Sequence, residues 1–567
     1  MNFRMMILTI LLFLLLSCTN HQTASLIIKN AHVYTLDSLQ PFASSIAIDE
    51  NKIIYVGDDD NIEEFVNHNT EIIDAEGRFV MPGLIEGHGH FSALGNSLVN
   101  LNLLNYKSWE QIVDSVKTRI TSNENNNWIM GRGWHQEKWD SLPAISIGNY
   151  PTRHSIDSFS IETPIILYHA SGHALFANQA AMAVAGISIE SPNPAGGKII
   201  KDQNGNPTGI FEENAMKPFA EAYENYRKNM PTETEKQLWS KAINLAQEEC
   251  IKSGVTSFED AGSKFFELRR YRKMAQDKQL KIRLWAMARH SFDELKDSIN
   301  EYVVIGEGDN FYTCNAIKSE LDGALGSHGA WLLAPYSDMP GFYGQNTTPV
   351  LEVKRLAELA KNHDMQFCVH AIGDRANRTL VDLYDAMLSH DNNNTDRRWR
   401  VEHAQHLDTT DIPRIAALGI IASMQGIHCT SDAPFVEKRL GYERSKNGAY
   451  AWRRLLDAGV KIANGTDVPI ENLDPFANIY ASVTRKRIDN QSSFFPEQKM
   501  TRSEALKSYT LDNAYAAFQE DKKGSIEVGK LADIIILDTD ILNCNEDEIP
   551  NTTVLYTIID GKVVFKR

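Results

Sequence analysis

Cysteine is scarce in this chain: six in 567 residues, with no CxxC pair and no regular spacing. That excludes a disulfide framework and a cysteine-ligated zinc module. Cys250, Cys314, Cys368, Cys429 and Cys544 are far apart, and several stand inside apolar runs, where a free thiol behaves as a small core residue. Positive charge is short as well. Lys and Arg number 57 against 74 Asp and Glu, a net charge of −17, and no basic stripe is available to neutralise phosphates. Nucleic acid is therefore not an expected partner. Low-complexity segments and internal repeats are also missing. What remains, 43% apolar and 23% charged residues, is the composition of a soluble globular protein larger than one ordinary domain.

Against that background the segment Met81-Pro82-Gly83-Leu84-Ile85-Glu86-Gly87-His88-Gly89-His90 stands out, because two imidazoles close an apolar run. Residues i and i+2 of a strand share a face, so His88 and His90 can grip one metal ion. Donors recur at the ends of later strand-like runs: His370 in Phe367–Asp374, His403 in Arg400–Gln405 and Asp467 in Lys461–Asp467. A fourth run, Ala316–Gly323, carries Lys318. The fold that gathers such distant strand ends onto one face is the (β/α)₈ TIM barrel, an α/β architecture whose active site lies at the carboxyl ends of its strands. Val255–Glu259 and Ile282–Met287 supply strands two and three, Ile421–Gln425 supplies strand seven, and most later spacings suit a helical crossover.

The ends of the chain read differently. Residues 25–81 and 524–567 are rich in short alternating runs broken by turn residues, with Asp560-Gly561 as a hairpin signal. Neither piece has enough core alone, so one small composite β-sandwich is expected, flanking a barrel domain over 82–523. The stretch from about 101 to 230 is too long for one crossover and is read as an insertion after barrel strand 1. It holds Trp109, Trp128, Trp134 and Trp139 with Tyr150 and Tyr168, which suits either an aromatic substrate lid or the core of an inserted subdomain. At the amino terminus, Arg4 precedes an apolar run from Met5 to Leu16 that is too short to span a bilayer and has the layout of a signal peptide over 1–17. Ser17-Cys18 resembles the lipobox of bacterial lipoproteins. That implies lipidation at Cys18, a tether over 18–24 and an exported cell-envelope lipoprotein, touching the membrane only through its anchor.

MPGLIEGHGH, SGHALFANQAA (171–181), PTGIFEENA (207–215), DGALGS (322–327), VHAIGDRAN (369–377), VEHAQ, Ser423-Met424-Gln425 to Asp432, NGTDVPI and KGSIEVGKLADIIILD (523–538) together resemble the amidohydrolase superfamily, in its type 3 group containing N-substituted formamide deformylase. The resemblance implies a metal-dependent hydrolase that cleaves a non-peptide C–N bond of a small molecule with a metal-activated hydroxide. It implies two Zn²⁺ ions: His88 and His90 on one, His370 and His403 on the other, a carboxylated Lys318 bridging them, and Asp467 binding metal and moving protons. His403 would also help hold the oxyanion. A single-metal site using His88, His90, His370 and Asp467 is the alternative. His173, Gln425 and His328 are the candidate substrate contacts, while Asp322, Asp374 and Arg375 are expected to be mostly structural. His328-Gly329 replaces the Arg-Thr common in relatives, and Gly426 replaces a proline. The rival functions are a deaminase, cyclic amidase or dipeptidase, and a non-catalytic ligand-binding lipoprotein. A homo-oligomer is compatible with the sequence.

Overall fold

The computed structural model describes residues 23–567 apart from 104–105, 122–127, 137–138, 170–173, 195–196, 390–395 and 490. Two compact units account for them: the chain up to His90 joined to Gln247–Arg567, and Phe91–Ala246.

The first unit contains eight strands: β1 (Leu84–Gly89), β2 (Val255–Ser263), β3 (Arg283–Ala288), β4 (Tyr312–Glu320), β5 (Gln366–Ala371), β6 (Arg400–His403), β7 (Ile421–Met424) and β8 (Ile462–Asn464). Each pairs in parallel with the next, so the TIM-barrel expectation holds. Runs such as Leu284-Trp285-Ala286-Met287 are buried along their whole length, as strands covered on both faces must be. The covering helices are amphipathic. Val350–Asn362 buries Val353, Leu356, Ala357 and Ala360, an i, i+3, i+4, i+7 stripe.

The seam between β8 and β1 is stitched by one side chain. Asn513 Nδ2 donates to Ile85 O (2.6 Å) and Asn464 O (2.8 Å), while Asn513 Oδ1 accepts from Asn464 N (3.0 Å). Beyond it, Asp467 N donates to His88 O and His90 N to Val468 O, both at 2.8 Å. Gly465 makes this approach possible: a Cβ there would lie 2.4 Å from His88 N.

In the same unit the two ends of the chain share a sheet. Its order is Lys562–Lys566, Val554–Ile559, Ile534–Leu537, Phe79–Pro82, His32–Tyr34, Phe42–Ala43, with Ile534 opposite Pro82 and Leu537 opposite Phe79. A second sheet, Lys52–Gly57, Ser45–Asp49, Leu26–Lys29, Glu71–Asp74, encloses with it a core of Leu26, Ile28, Val33, Ile46, Ile48, Ile73, Val80, Ile534, Ile536 and Ile558. Asp560 and Gly561 turn the last hairpin with φ of +55° and +72°, the doubly left-handed geometry a two-residue turn requires.

The second unit begins ten residues before and ends sixteen after the insertion read from sequence, because the flanking helices Phe91–Val99 and the first part of Thr232–Lys252 belong to it. Its six-stranded sheet runs Gly197–Lys201, Pro207–Glu213, Ala174–Ala177, Ile165–His169, Ile129–Trp134, Leu101–Asn102. Trp109 and Trp134 are buried in its core with Phe176 and Ile210, and Trp128 and Trp139 pack against the unit's own clusters. Of the two readings of these aromatics, the structure shows the subdomain core.

Candidate metal centre

At the carboxyl end of the barrel, strand ends bring donors together that are far apart in the chain. One ligand atom each from His88, His403 and Asp467 lie within 4.8 Å of one another, all three residues buried. His90 Nε2 is 3.2 Å and His88 Nε2 3.6 Å from Asp467 Oδ1. The rings of His88 and His403 are 4.6 Å apart and those of His403 and His370 4.5 Å. Five of the six sequence-predicted ligands are thus contiguous. Lys318, on β4 and buried, faces the same group: its charge acts on His88, His370 and His403. Among the described residues its ammonium has no carboxylate within ion-pair distance.

Further residues aim the donors. Glu402 accepts a hydrogen bond from His88 Nδ1, which leaves Nε2 with its lone pair turned into the cluster. Gln425 Oε1 accepts from His403 Nδ1 at 2.8 Å, with the same consequence. Such outer partners fix tautomer and ring orientation at metal sites. Backbone strain contributes as well. His403 and Asp467 hold φ of +76° and +59°, left-handed values that cost ~1–3 kcal/mol each and persist only where the surroundings impose them.

The electrostatics suit a cation. Burial pushes the His88, His370 and His403 imidazoles down, with Lys318 adding to it, and His370 reaches about 3. All are therefore neutral near pH 7, the form that ligates. Burial alone would raise the Asp467 carboxyl, but His90, 3.2 Å from its Oδ1, and the imidazoles of His88, His403 and His428 around it hold it well below the usual carboxylate range. Glu402 is likewise held at about 2 against its burial, by His88, Lys318 and Arg400. Glu86 is the opposite case: burial lifts it to about 8, although the Thr466 amide donates to it. Imidazole atoms His88 Nε2 and His370 Nε2 are buried with no hydrogen-bond partner among the described residues. Unsatisfied buried nitrogens are costly, and a divalent ion is the partner that this donor set fits.

The remaining predicted residues are placed as follows. Gln425 lies within the site, on His403. His328 sits in a turn with φ of +58°, its Nε2 3.2 Å from Asp338 and its ring 4.8 Å from Tyr336. His173 and Cys18 fall outside the described residues. Asp322 accepts from the amides of Trp331, Ile372 and Gly373 at 2.8–2.9 Å and approaches His370 Nε2 at 3.7 Å, the supporting role expected of it. Gly426 also has a physical reason: its amide donates to Asn464 Oδ1 at 3.2 Å, and a Cβ would lie 2.7 Å from Asn478 O. A proline would lose that bond and meet that atom. Glu402 was missed from sequence because strict alternation sends it to the face opposite His403; the left-handed turn at His403 brings both inward. His428 was missed because it stands on the helix Gly426–Leu440, beyond the strand end.

The amidohydrolase family model matches residues 71–565. Protein LONG AFTER FAR-RED 3 of Arabidopsis thaliana is 28% identical over 560 residues, covering 96% of this chain and 92% of that protein. N-substituted formamide deformylase of Arthrobacter pascens is 27% identical over 569 residues, covering 96% and 99%. The crystal structure of an uncharacterized metal-dependent hydrolase from Pyrococcus furiosus superposes with a TM-score of 0.72 at 28% identity, covering 91% of this chain and 100% of that one. With its barrel, its donor cluster and a family match over most of its length, this chain belongs to the amidohydrolase family.

Proposed function

We propose that this protein hydrolyses a non-peptide C–N bond, of the amide or N-substituted formamide type, in a small molecule. The observation that carries the reading is the convergence of His88, His403 and Asp467 with the outer nitrogens of both histidines already engaged. His88, His90, His370, His403 and Asp467 would hold the metal, with Lys318 as a carbamate completing a two-zinc site. A buried ammonium without a counter-ion is costly, and beside dications it would be repelled, whereas a carbamate adds anionic oxygens. Zinc supplies Lewis acidity toward water and a carbonyl oxygen. Asp467 Oδ1 faces the His88/His90 pair, while Oδ2 faces His428 at 3.8 Å. Ionised at neutral pH, Asp467 is equipped to take a proton from water and return it to the departing nitrogen, which leaves poorly as an anion.

The test is zinc-loaded protein against N-substituted formamides, simple amides, cyclic amides, dipeptides and aminopurines. Amine and carboxylate products from the first two classes are expected. Ammonia released from the purines would move the reading to a deaminase, and protein purified with zinc present but holding no metal would move it to a ligand-binding role. We also infer export as a lipoprotein acylated at Cys18. Palmitate labelling that survives Cys18→Ala would overturn it.

A further inference from the structure

Two glutamines are exchanged between neighbouring strand ends, and the exchange sets the protons of two histidines in opposite senses. Gln425, after β7, offers Oε1 to His403 Nδ1 while its Nε2 turns to Ser423 O at 3.4 Å. His403, the last residue of β6, therefore carries its proton on Nδ1. Gln405, two residues past His403, offers its amide Nε2 to His428 Nδ1 at 3.1 Å. A neutral imidazole has one donor and one acceptor nitrogen. His428 accepts on Nδ1, so its proton is on Nε2.

That N–H meets no acceptor among the described residues. His428 Nε2 is buried with no hydrogen-bond partner among the described residues, and the nearest carboxylate oxygen, Asp467 Oδ2, is 3.8 Å away, beyond hydrogen-bond reach. The ring lies nearly parallel to His403, 6.2 Å away, so it borders the metal cluster. A protonated ring nitrogen has no lone pair to give a cation. It can give a hydrogen bond to an oxygen. His403 cannot do so, because its single N–H is spent on Gln425.

We propose that His428 is a catalytic residue that binds no metal: its Nε2–H donates to the scissile carbonyl oxygen of the bound substrate and stabilises the negative charge that builds there. No bond to His428 forms or breaks. Attack at the carbonyl carbon moves an electron pair onto the oxygen, where the N–H meets it, and collapse returns the pair to expel the nitrogen protonated through Asp467. Gln405 is a positioning residue that keeps the donor on the right nitrogen. The inference rests on the hydrolase reading above.

The experiment compares wild type, His428→Phe and His428→Gln on whichever formamide or amide of the panel wild type cleaves, with zinc content measured for each. In His428→Phe, zinc content stays at the wild-type level, kcat falls about 10²–10³-fold and KM stays within roughly threefold, as for loss of one oxyanion donor. His428→Gln, which restores an N–H at similar reach, recovers at least roughly tenfold of that loss. Loss of zinc in His428→Phe, unchanged kcat, or a rise in KM alone overturns the proposal. Independently of substrate, ¹⁵N shifts of the His428 ring in zinc-loaded protein, identified by their disappearance in His428→Phe, should report protonation on Nε2; protonation on Nδ1 overturns it. Wild type inactive on the whole panel would sink the hydrolase reading itself. An active wild type matched by an equally active His428→Phe would sink only the role of His428.

Discussion

The sandwich and the barrel interior belong to one compact unit yet are held together by different physics. The sandwich core is aliphatic, built from Leu26, Ile28, Ile46, Ile48, Ile534, Ile536 and Ile558. Burial of that kind is non-directional and tolerates exchange of one apolar side chain for another. The barrel interior instead buries Glu86, His88, Glu259, Lys318, Arg400 and Glu402. Each needs a specific partner: Arg400 pairs with Glu259, bonds Gln366 at 3.0 Å and lies 4.4 Å over the Trp285 ring, and Glu402 takes His88. Buried charges contribute little net stability but lose several kcal/mol when one partner is removed. The barrel thus trades robustness for a defined constellation, and the sandwich supplies robustness without chemistry.

That contrast can be broken by substitution. The largest effect is expected from His90→Ala, which should abolish turnover while circular dichroism shows the fold retained; unchanged activity would contradict the metal assignment. Prolonged chelation should do the same reversibly, with zinc restoring activity. Glu402→Leu, which has no acceptor, should weaken zinc binding by about 10–100-fold, read by competition with a chromogenic chelator, because His88 loses the partner that fixes its tautomer. If it binds zinc as wild type does, Glu402 does not position His88. In the sandwich, Ile534→Ala should cost ~2–5 kcal/mol of stability while kcat and zinc content of the folded protein stay unchanged. A fall in kcat there would mean that the two regions are not separable.

The smallest effect sharpens the comparison through pH. Burial, with Arg444 adding, depresses the His406 imidazole to about 3, whereas in the unfolded chain it titrates near its ordinary value. The native state binds fewer protons between these values, so the stability this group contributes is complete above ~6.5 and is lost as pH falls toward 3. Between pH 8 and pH 5 the loss should be about 2 kcal/mol. His406→Phe should therefore show a smaller drop in melting temperature than wild type over that range. An equal drop would assign the acid sensitivity elsewhere.

The strands were legible because parallel barrel strands are nearly continuous apolar runs, and the donors were legible because each closes such a run: His88 after Leu84-Ile85, His370 after Cys368-Val369, Asp467 after Ile462-Ala463. The hairpin at Asp560-Gly561 could be read because few residues tolerate two consecutive left-handed positions. The partners could not. Glu402 is 314 residues from His88, and alternation alone turns it the wrong way. Gln405 and His428 sit in a loop and a helix, where strand periodicity carries no information. The Trp-rich insertion was ambiguous because aromatic residues fill a core and line a lid with the same composition.

By itself the sequence determined the class of fold, the pairing of its two ends and the residue types that close its strands, since periodicity and turn chemistry are local properties written residue by residue. Tertiary structure alone decided which nitrogen of His88, His403 and His428 carries a proton, which carboxylates stay ionised and which donors face one point. Those depend on burial and on partners hundreds of residues away, and a hydrogen bond or a desolvated charge has no value until both of its ends are in place.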